Sequence, residues 1–129
     1  MSIKTNKLTH AYNPGTPFEH LALDGITLNI PQGKVTAIIG QTGSGKSTFV
    51  QHLNALLIPT SGSVDIENYH IEAGTKIKDV KELRKKVGLV FQFPEYQLFE
   101  EKIEKDIAFG LKNFGSTEEE ARELVKKVI

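Results

Sequence analysis

Gly40-Gln41-Thr42-Gly43-Ser44-Gly45-Lys46-Ser47, followed by Thr48, matches the phosphate-binding template G-x-x-x-x-G-K-[ST] at every fixed position. Each residue type suits the task. Gly40, Gly43 and Gly45 open backbone conformations closed to residues with a Cβ, so successive N–H groups can turn inward around phosphate oxygens. The start of the following helix adds N–H donors and a partial positive charge. Lys46 is expected to reach the β- and γ-phosphates, and the Ser47 hydroxyl to ligate Mg²⁺, an oxygen-seeking ion. The bland alternative is a Gly/Ser-rich linker with a surface lysine. Taken alone, the loop indicates a bound nucleoside triphosphate and no particular activity.

The flanking elements favour the phosphate loop over the linker. Val35-Thr36-Ala37-Ile38-Ile39 is a short, largely apolar run between Gly33 and Gly40, which reads as a buried strand. From Ser47 to Leu57, the residues Phe49, Val50, Leu53, Leu56 and Leu57 fall at helical spacing, and Pro59 and Gly62 end the helix. Upstream, Ile3 to Leu8 and the alternating Ile26–Ile30 read as strands, joined by the turn-rich Tyr12-Asn13-Pro14-Gly15-Thr16-Pro17-Phe18-Glu19. Downstream come a strand at Ser63–Ile66, a polar loop over 70–78, and a helix over 79–86 with basic residues near its end. A second buried strand is expected at Val87–Phe91. Ser116-Thr117-Glu118-Glu119 opens a last helix with a capping box, and the Glu118–Glu120 run suits that helix's dipole.

Bulk composition narrows the classes. The 129 residues carry 16 Lys+Arg against 16 Asp+Glu, a formal net charge of zero. No global basic field marks nucleic acid as the main partner. With no cysteine there is no disulfide framework or thiolate metal site. No apolar run approaches the roughly 20 residues that span a bilayer. His10, His20, His52 and His70 lack metal-ligand spacing and are expected to be solvated.

Further motifs in order along the chain resemble those of ABC-type ATPases. Tyr12 stands where that family has an aromatic that stacks on adenine; as residues alone it would be an ordinary loop tyrosine. Leu83-Arg84-Lys85-Lys86-Val87-Gly88-Leu89-Val90-Phe91-Gln92 is similar to the segment leading to the family's Q-loop glutamine. That likeness gives Gln92 a role as Mg²⁺ ligand or water-orienting group, against the alternative of a surface glutamine. Tyr12–Glu19, Pro94–Glu101 and Glu104–Gly110 resemble one ATPase of the energy-coupling factor importers, the second of a related pair. Four aromatics, Phe91, Phe93, Tyr96 and Phe99, crowd a short loop around Pro94, which cannot bury them all; the rival to a docking surface is core packing.

The resemblance implies an α/β fold of P-loop ABC type. Its parts would be an antiparallel β part over 1–34, a mainly parallel core over 35–92, and over 93–129 the Q-loop and the start of a helical subdomain. It implies ATP and Mg²⁺ as cofactors, with Lys46 and Gln92 acting in hydrolysis. Tyr12, Gly40, Gln41, Thr42, Gly43, Ser44, Gly45, Lys46, Ser47 and Thr48 would hold the nucleotide, and Ser47 and Gln92 the metal. It further implies a peripheral protein on the cytoplasmic face of the membrane, driving uptake of a vitamin or transition-metal ion. Its partners would be a second ATPase subunit, a membrane coupling subunit touching 93–103 and, indirectly, a substrate-binding membrane subunit, with no nucleic acid. The family's signature loop, acidic Walker B strand end and switch histidine have no counterpart in these residues. The 129 residues are therefore expected to be a truncated, inactive piece with an apolar strand edge at Val35–Ile39. Three rivals remain: a DNA-repair or chromosome ATPase of the same superfamily, which would open heptads after Gln92; a small P-loop kinase, which would need an arginine-rich lid; and a non-hydrolysing binding module.

Overall fold

The structure is a computed structural model and describes residues 2–76 and 78–129. It divides into two units, Met1–Leu89 and Val90–Ile129. In the first, four strands form one antiparallel sheet: β1 (Ile3–Tyr12), β2 (His20–Ile30), β3 (Ser61–Ile66) and β4 (Tyr69–Glu72), in the order β2-β1-β3-β4. Between β2 and β3 the chain passes through the glycine-rich loop and helix α1 (Lys46–His52); helix α2 (Val80–Lys86) follows β4. Leu8, Leu23, Val64, Ile66 and Ile71 of the sheet form one core with Phe49 of α1, Ala55 and Leu83 of α2.

β1 is longer than its sequence pattern because its buried face changes phase. Thr5 is buried, and then Leu8 and His10, three and five residues on. Pairing with β2 slips between Thr5 and Leu8, where Lys7 takes φ 46°. Such a bulge adds a residue and turns the following side chains to the other face. The Thr5 hydroxyl holds the irregular stretch, donating to Ile26 O and accepting from Leu28 N–H, both at 3.0 Å.

Three expected elements are corrected. The segment read as a loop from His70 begins inside β4, whose Ile71 pairs with Val64. The signal was there: Tyr69 and Ile71 alternate with polar residues, and a two-residue turn at Glu67-Asn68 (Glu67 φ 50°) returns the chain. Ile77, also in that segment, lies outside the described residues. The helix expected to reach Leu57 stops at His52, and Ala55 turns left-handed at φ 58°. Arg84 satisfies the buried turn just past the helix, donating to Asn54 O (3.2 Å) and Ala55 O (3.1 Å). Finally, Val35–Ile39 and Val87–Phe91 are not strands among the described residues. Ile39 is 91% exposed and Val90 76%. An extended segment becomes a strand only when a neighbour supplies the other half of the ladder, and all described pairings are antiparallel ones within the four-stranded sheet. The expected strand edge at Val35–Ile39 is corrected with it: its apolar side chains are exposed, but on an unpaired segment rather than along the edge of a sheet.

The second unit holds a short 3₁₀ turn (Pro94–Gln97), helix α3 (Ile103–Asn113) and helix α4 (Glu118–Val128). No element was expected at α3. Ile103, Ile107, Ala108 and Leu111 do recur at helical spacing there, but Gly110 and the charged residues between them mask it. α4 forms as expected, with its capping box one residue later than the Ser116 start. The Thr117 hydroxyl accepts from Glu120 N–H at 3.3 Å, and Glu120 Oε2 accepts from Thr117 N–H at 2.9 Å. Replacing Thr117 with Ala should therefore destabilise α4 by about 1 kcal/mol, while Ser116→Ala changes little. Hydrogen exchange of the α4 amides reads the difference, and a larger effect at Ser116 would disprove this cap register.

Candidate phosphate-loop site

The loop is shaped by close backbone approach. Gly45, the N-cap of α1, has φ 95°, and a Cβ there would sit 2.6 Å from Ala22 O and 3.0 Å from Leu23 Cδ2 of β2. Only glycine lets α1 begin so tightly against the sheet. A Cβ on Gly40 would meet Ser44 Oγ at 2.6 Å. Ser44 N–H closes the turn by donating to Gln41 O at 3.1 Å. Lys46 curls back over it: its ammonium donates to Gly40 O and Gln41 O, both at 2.7 Å, and to Ser44 Oγ at 3.3 Å. The first helical bond runs from Phe49 N–H to Gly45 O, so the N–H groups of Lys46, Ser47 and Thr48 precede any intrahelical partner. A cation, a turn of backbone donors and the exposed Ser47 thus stand together on one exposed loop. That arrangement accepts a polyphosphate.

Mg²⁺ fits this donor set. Among the described residues no cluster of three or more His, Cys, Asp or Glu residues forms a metal cage. Mg²⁺ does not require one: it keeps several waters and is held jointly by one or two protein oxygens and substrate phosphates. The Ser47 hydroxyl is a suitable hard oxygen.

Tyr12, the last residue of β1, lies next to α1. Its hydroxyl and the Thr48 hydroxyl are 3.0 Å apart and share a hydrogen bond, and Tyr12 remains 37% exposed. Thr48 itself is buried, so what it can offer a ligand is its backbone N–H. Gln92 belongs to the second unit, exposed just before the 3₁₀ turn. Phe91, Phe93, Tyr96 and Phe99 are all exposed, as the crowded loop implied.

Two histidines correct the expectation of solvated rings. His52 is fully buried in α1 and His10 is 9% exposed in β1. His52 Nδ1 lies 2.8 Å from Thr48 O, and its Nε2 lies 3.2 Å from His10 Nδ1, which is also 3.2 Å from Ile58 O. The His10 ring stands edge-on to both His52 and Tyr12, with centroids 4.8 Å apart in each case. Burial lowers the His52 pKa below 6.5. A third histidine is solvated but not isolated: His70 sits between Asp65 and Glu72 on the outer face of β3–β4, and hydrogen bonding to Asp65, then Glu72, raises its pKa. Sequence reasoning missed both arrangements because partners 42 residues apart meet only where α1 packs on β1, and partners 5 residues apart only where β3 pairs with β4.

A glycine-rich turn, its lysine and the helix it opens define the class of phosphate-loop nucleotide-binding proteins. The family of ABC transporters matches residues 23–128, and the chain belongs to that family. It is 58% identical over 127 residues to the energy-coupling factor transporter ATP-binding protein EcfA2 of Clostridium perfringens, covering 98% of this chain and 44% of that protein. To the EcfA2 of Ligilactobacillus salivarius it is 56% identical, with the same coverage. The chain thus spans less than half the length of the curated relatives it matches. Among solved structures it resembles cbiO1 from Clostridium perfringens, part of the ABC transporter complex cbiONQ (38% identity, TM-score 0.76, 97% of this chain and 47% of the other). It also resembles the ATP-binding cassette MJ0796 in a post-hydrolysis dimer bound to ADP and Pi (28% identity, TM-score 0.79, 97% and 54%).

The histidines set a pH test. Because the folded His52 pKa is depressed, the unfolded chain takes up the proton first as pH falls through about 6.5, and stability is lost on the acid side. His70 has the opposite sign: its raised pKa favours the fold below about 6.5, and that contribution fades as pH rises through the folded value. Denaturant midpoints from pH 5 to 8 should therefore fall less steeply toward acid in His52→Gln than in the wild type, and more steeply in His70→Asn.

Proposed function

We propose that this chain is the nucleotide-binding portion of an ATP-binding subunit of an energy-coupling factor importer. In the complete protein it would bind Mg·ATP at the loop Gly40–Thr48 and hydrolyse it to drive uptake of a micronutrient. The observation that carries the reading is the phosphate loop: Lys46 folded against Gly40 O and Gln41 O over a glycine turn pressed on β2. Its support in kinship is the sequence likeness to EcfA2 proteins along nearly the whole chain.

In this reading the Lys46 ammonium leaves its carbonyl partners for the β- and γ-phosphates, and the N–H groups of the loop and first helical turn take up the remaining oxygens. The charge that builds on the transferred phosphoryl group meets fixed donors rather than reorganising water. Mg²⁺ would supply further neutralisation when bound, with the Ser47 hydroxyl as a protein ligand; the family resemblance, rather than the geometry, adds Gln92. Tyr12 offers the adenine a stacking face at the edge of the same loop. The partners are a second ATPase subunit and a membrane coupling subunit that rests on the exposed aromatics of 93–103. Within 90–129, Phe93 packs on Tyr96 and Phe99 on Phe109, which pre-forms part of that surface. Attachment is peripheral, on the cytoplasmic face; no helix among the described residues is long and apolar enough to cross a membrane.

Calorimetry on the full-length protein tests the site. Lys46→Ala removes a charge-assisted contact worth about 1.5–3 kcal/mol, so Mg·ATP affinity should drop at least tenfold. Unchanged affinity in a folded variant would refute the assignment. Tyr12→Ala should weaken ATP binding by about 1–3 kcal/mol. Tyr12→Phe keeps the ring face and gives up only the Thr48 hydrogen bond, so it should lose less; equal losses would mean that the hydroxyl, not stacking, carries the contribution.

A further inference from the structure

Between Tyr12 and α1 lies a group of polar side chains that the phosphate chemistry does not use. His52 is completely buried, and His10 nearly so, although both carry two ring nitrogens that need partners or a lone-pair environment. Apolar residues of similar size would fill the same space at lower desolvation cost. The geometry is nonetheless satisfied, and one neutral arrangement accounts for every contact. His52 Nδ1–H donates to Thr48 O, and His10 Nδ1–H is shared between His52 Nε2 and Ile58 O. A second proton on His52 would set N–H against N–H across the pair.

The two rings occupy a particular position. Thr48 is bonded twice, its carbonyl by His52 and its hydroxyl by Tyr12. Tyr12 also rests on the edge of His10, with ring planes at 76°. Tyr12, His10, His52 and Thr48 therefore close a ring of contacts that joins the end of β1 to the first turns of α1. The side chain at the rim of the phosphate loop is fixed from two directions: by its hydroxyl on α1 and by its ring on β1.

From this geometry we infer that His10 and His52 are positioning residues that hold the Tyr12 ring in register with the phosphate loop, and so set the affinity for the base of the nucleotide independently of the affinity for its phosphates. The inference rests on the reading of Tyr12 as the adenine platform. Neither histidine touches the nucleotide. Their effect passes through Tyr12, whose seat they define: His10 lies against its ring edge, and His52 holds His10 from α1.

The test compares two probes on the full-length protein with Mg²⁺: ATP, and inorganic tripolyphosphate, which has the phosphates without the base. His52→Leu keeps bulk and removes both ring contacts. It should weaken ATP about five- to tenfold, because a misplaced ring forfeits part of its stacking, and leave tripolyphosphate affinity within about twofold. His52→Asn, whose amide stands where Nδ1 stood and can still donate to Thr48 O, should recover part of the loss. A merely structural role would lower both affinities together, and that result overturns the inference, as does unchanged ATP affinity in folded His52→Leu. Should His52→Leu fail to fold, His10→Gln measured in the wild-type and Tyr12→Ala backgrounds decides the matter. Its effect on ATP should vanish when the tyrosine is gone, and an undiminished effect there refutes the positioning role. The underlying reading is tested separately by Tyr12→Ala alone: if that variant binds ATP as the wild type does, the adenine platform is wrong, whatever the histidine variants show.

Discussion

The contact on which the site depends is the approach of the Gly45 backbone to the carbonyl of Ala22. It brings the start of α1 against β2 at a distance that no side chain at position 45 would permit. Two consequences follow from that one approach. Phe49 and His52, one and two turns along α1, enter the interior, Phe49 joining the core of the antiparallel sheet. The loop on the other side of Gly45 is then held by a helix that cannot slide, so its backbone donors are aimed before any ligand arrives. Preorganised donors cost no rearrangement at the moment of binding or reaction, which is the physical advantage of building an anion site on backbone.

Lys46 shows how such a loop is kept in shape. Its ammonium is bonded to the carbonyls of Gly40 and Gln41, which belong to the turn itself. An ammonium has three donors and no acceptor, so it can trade one oxygen partner for another without losing its charge-assisted contacts. Exchanging peptide carbonyls for phosphate oxygens replaces neutral acceptors with charged ones. In the proposed function, this net gain, and not the gross strength of either set, is the about 1.5–3 kcal/mol that Lys46 would contribute to binding.

Much of this was legible in the residues. The loop's fixed positions state its chemistry without any structure, because phosphate recognition needs glycine backbone and one lysine at set intervals. β1, β2, β3 and α4 were visible as local periodicity. What escaped was non-local or depended on irregularity. The bulges at Lys7 and Gly25 reset the phase of β1 and β2, and no period-two rule predicts where an extra residue will enter. β4 was passed over although Tyr69, Ile71 and the turn before them mark it, because it is only four residues long and opens a polar stretch. The buried histidines were misread because a polar ring is assigned to solvent unless its partners are known, and these partners are supplied by a strand and a helix far apart in sequence. Gln92 was recognised from kinship to a family rather than from spacing; the exposure of the aromatics around it followed from their crowding at Pro94, and only the partner assigned to them rests on that kinship.

Val35–Ile39 carries the reasoning one step further. These residues have the composition of an interior strand, yet Val35 and Ile39 are almost wholly exposed and their backbone lacks a ladder partner among the described residues. The segment runs straight into Gly40, so the loop's first carbonyl, the one that Lys46 holds, is anchored on its upstream side only by an unpaired chain. On its downstream side the loop is anchored by α1 and the core. Pairing of Val35–Ile39 with neighbouring strands would bury apolar surface and also stiffen the upstream end of the loop. In the proposed function, binding would draw mainly on the donors of the downstream side, from Gly43 to Thr48. Hydrolysis requires the whole loop to hold the γ-phosphate still while water is oriented against it, a condition sensitive to displacements of about 1 Å. In the proposed function, nucleotide affinity and turnover would therefore depend on different parts of the fold: the first on the glycine contact between α1 and β2, the second also on strand neighbours for Val35–Ile39.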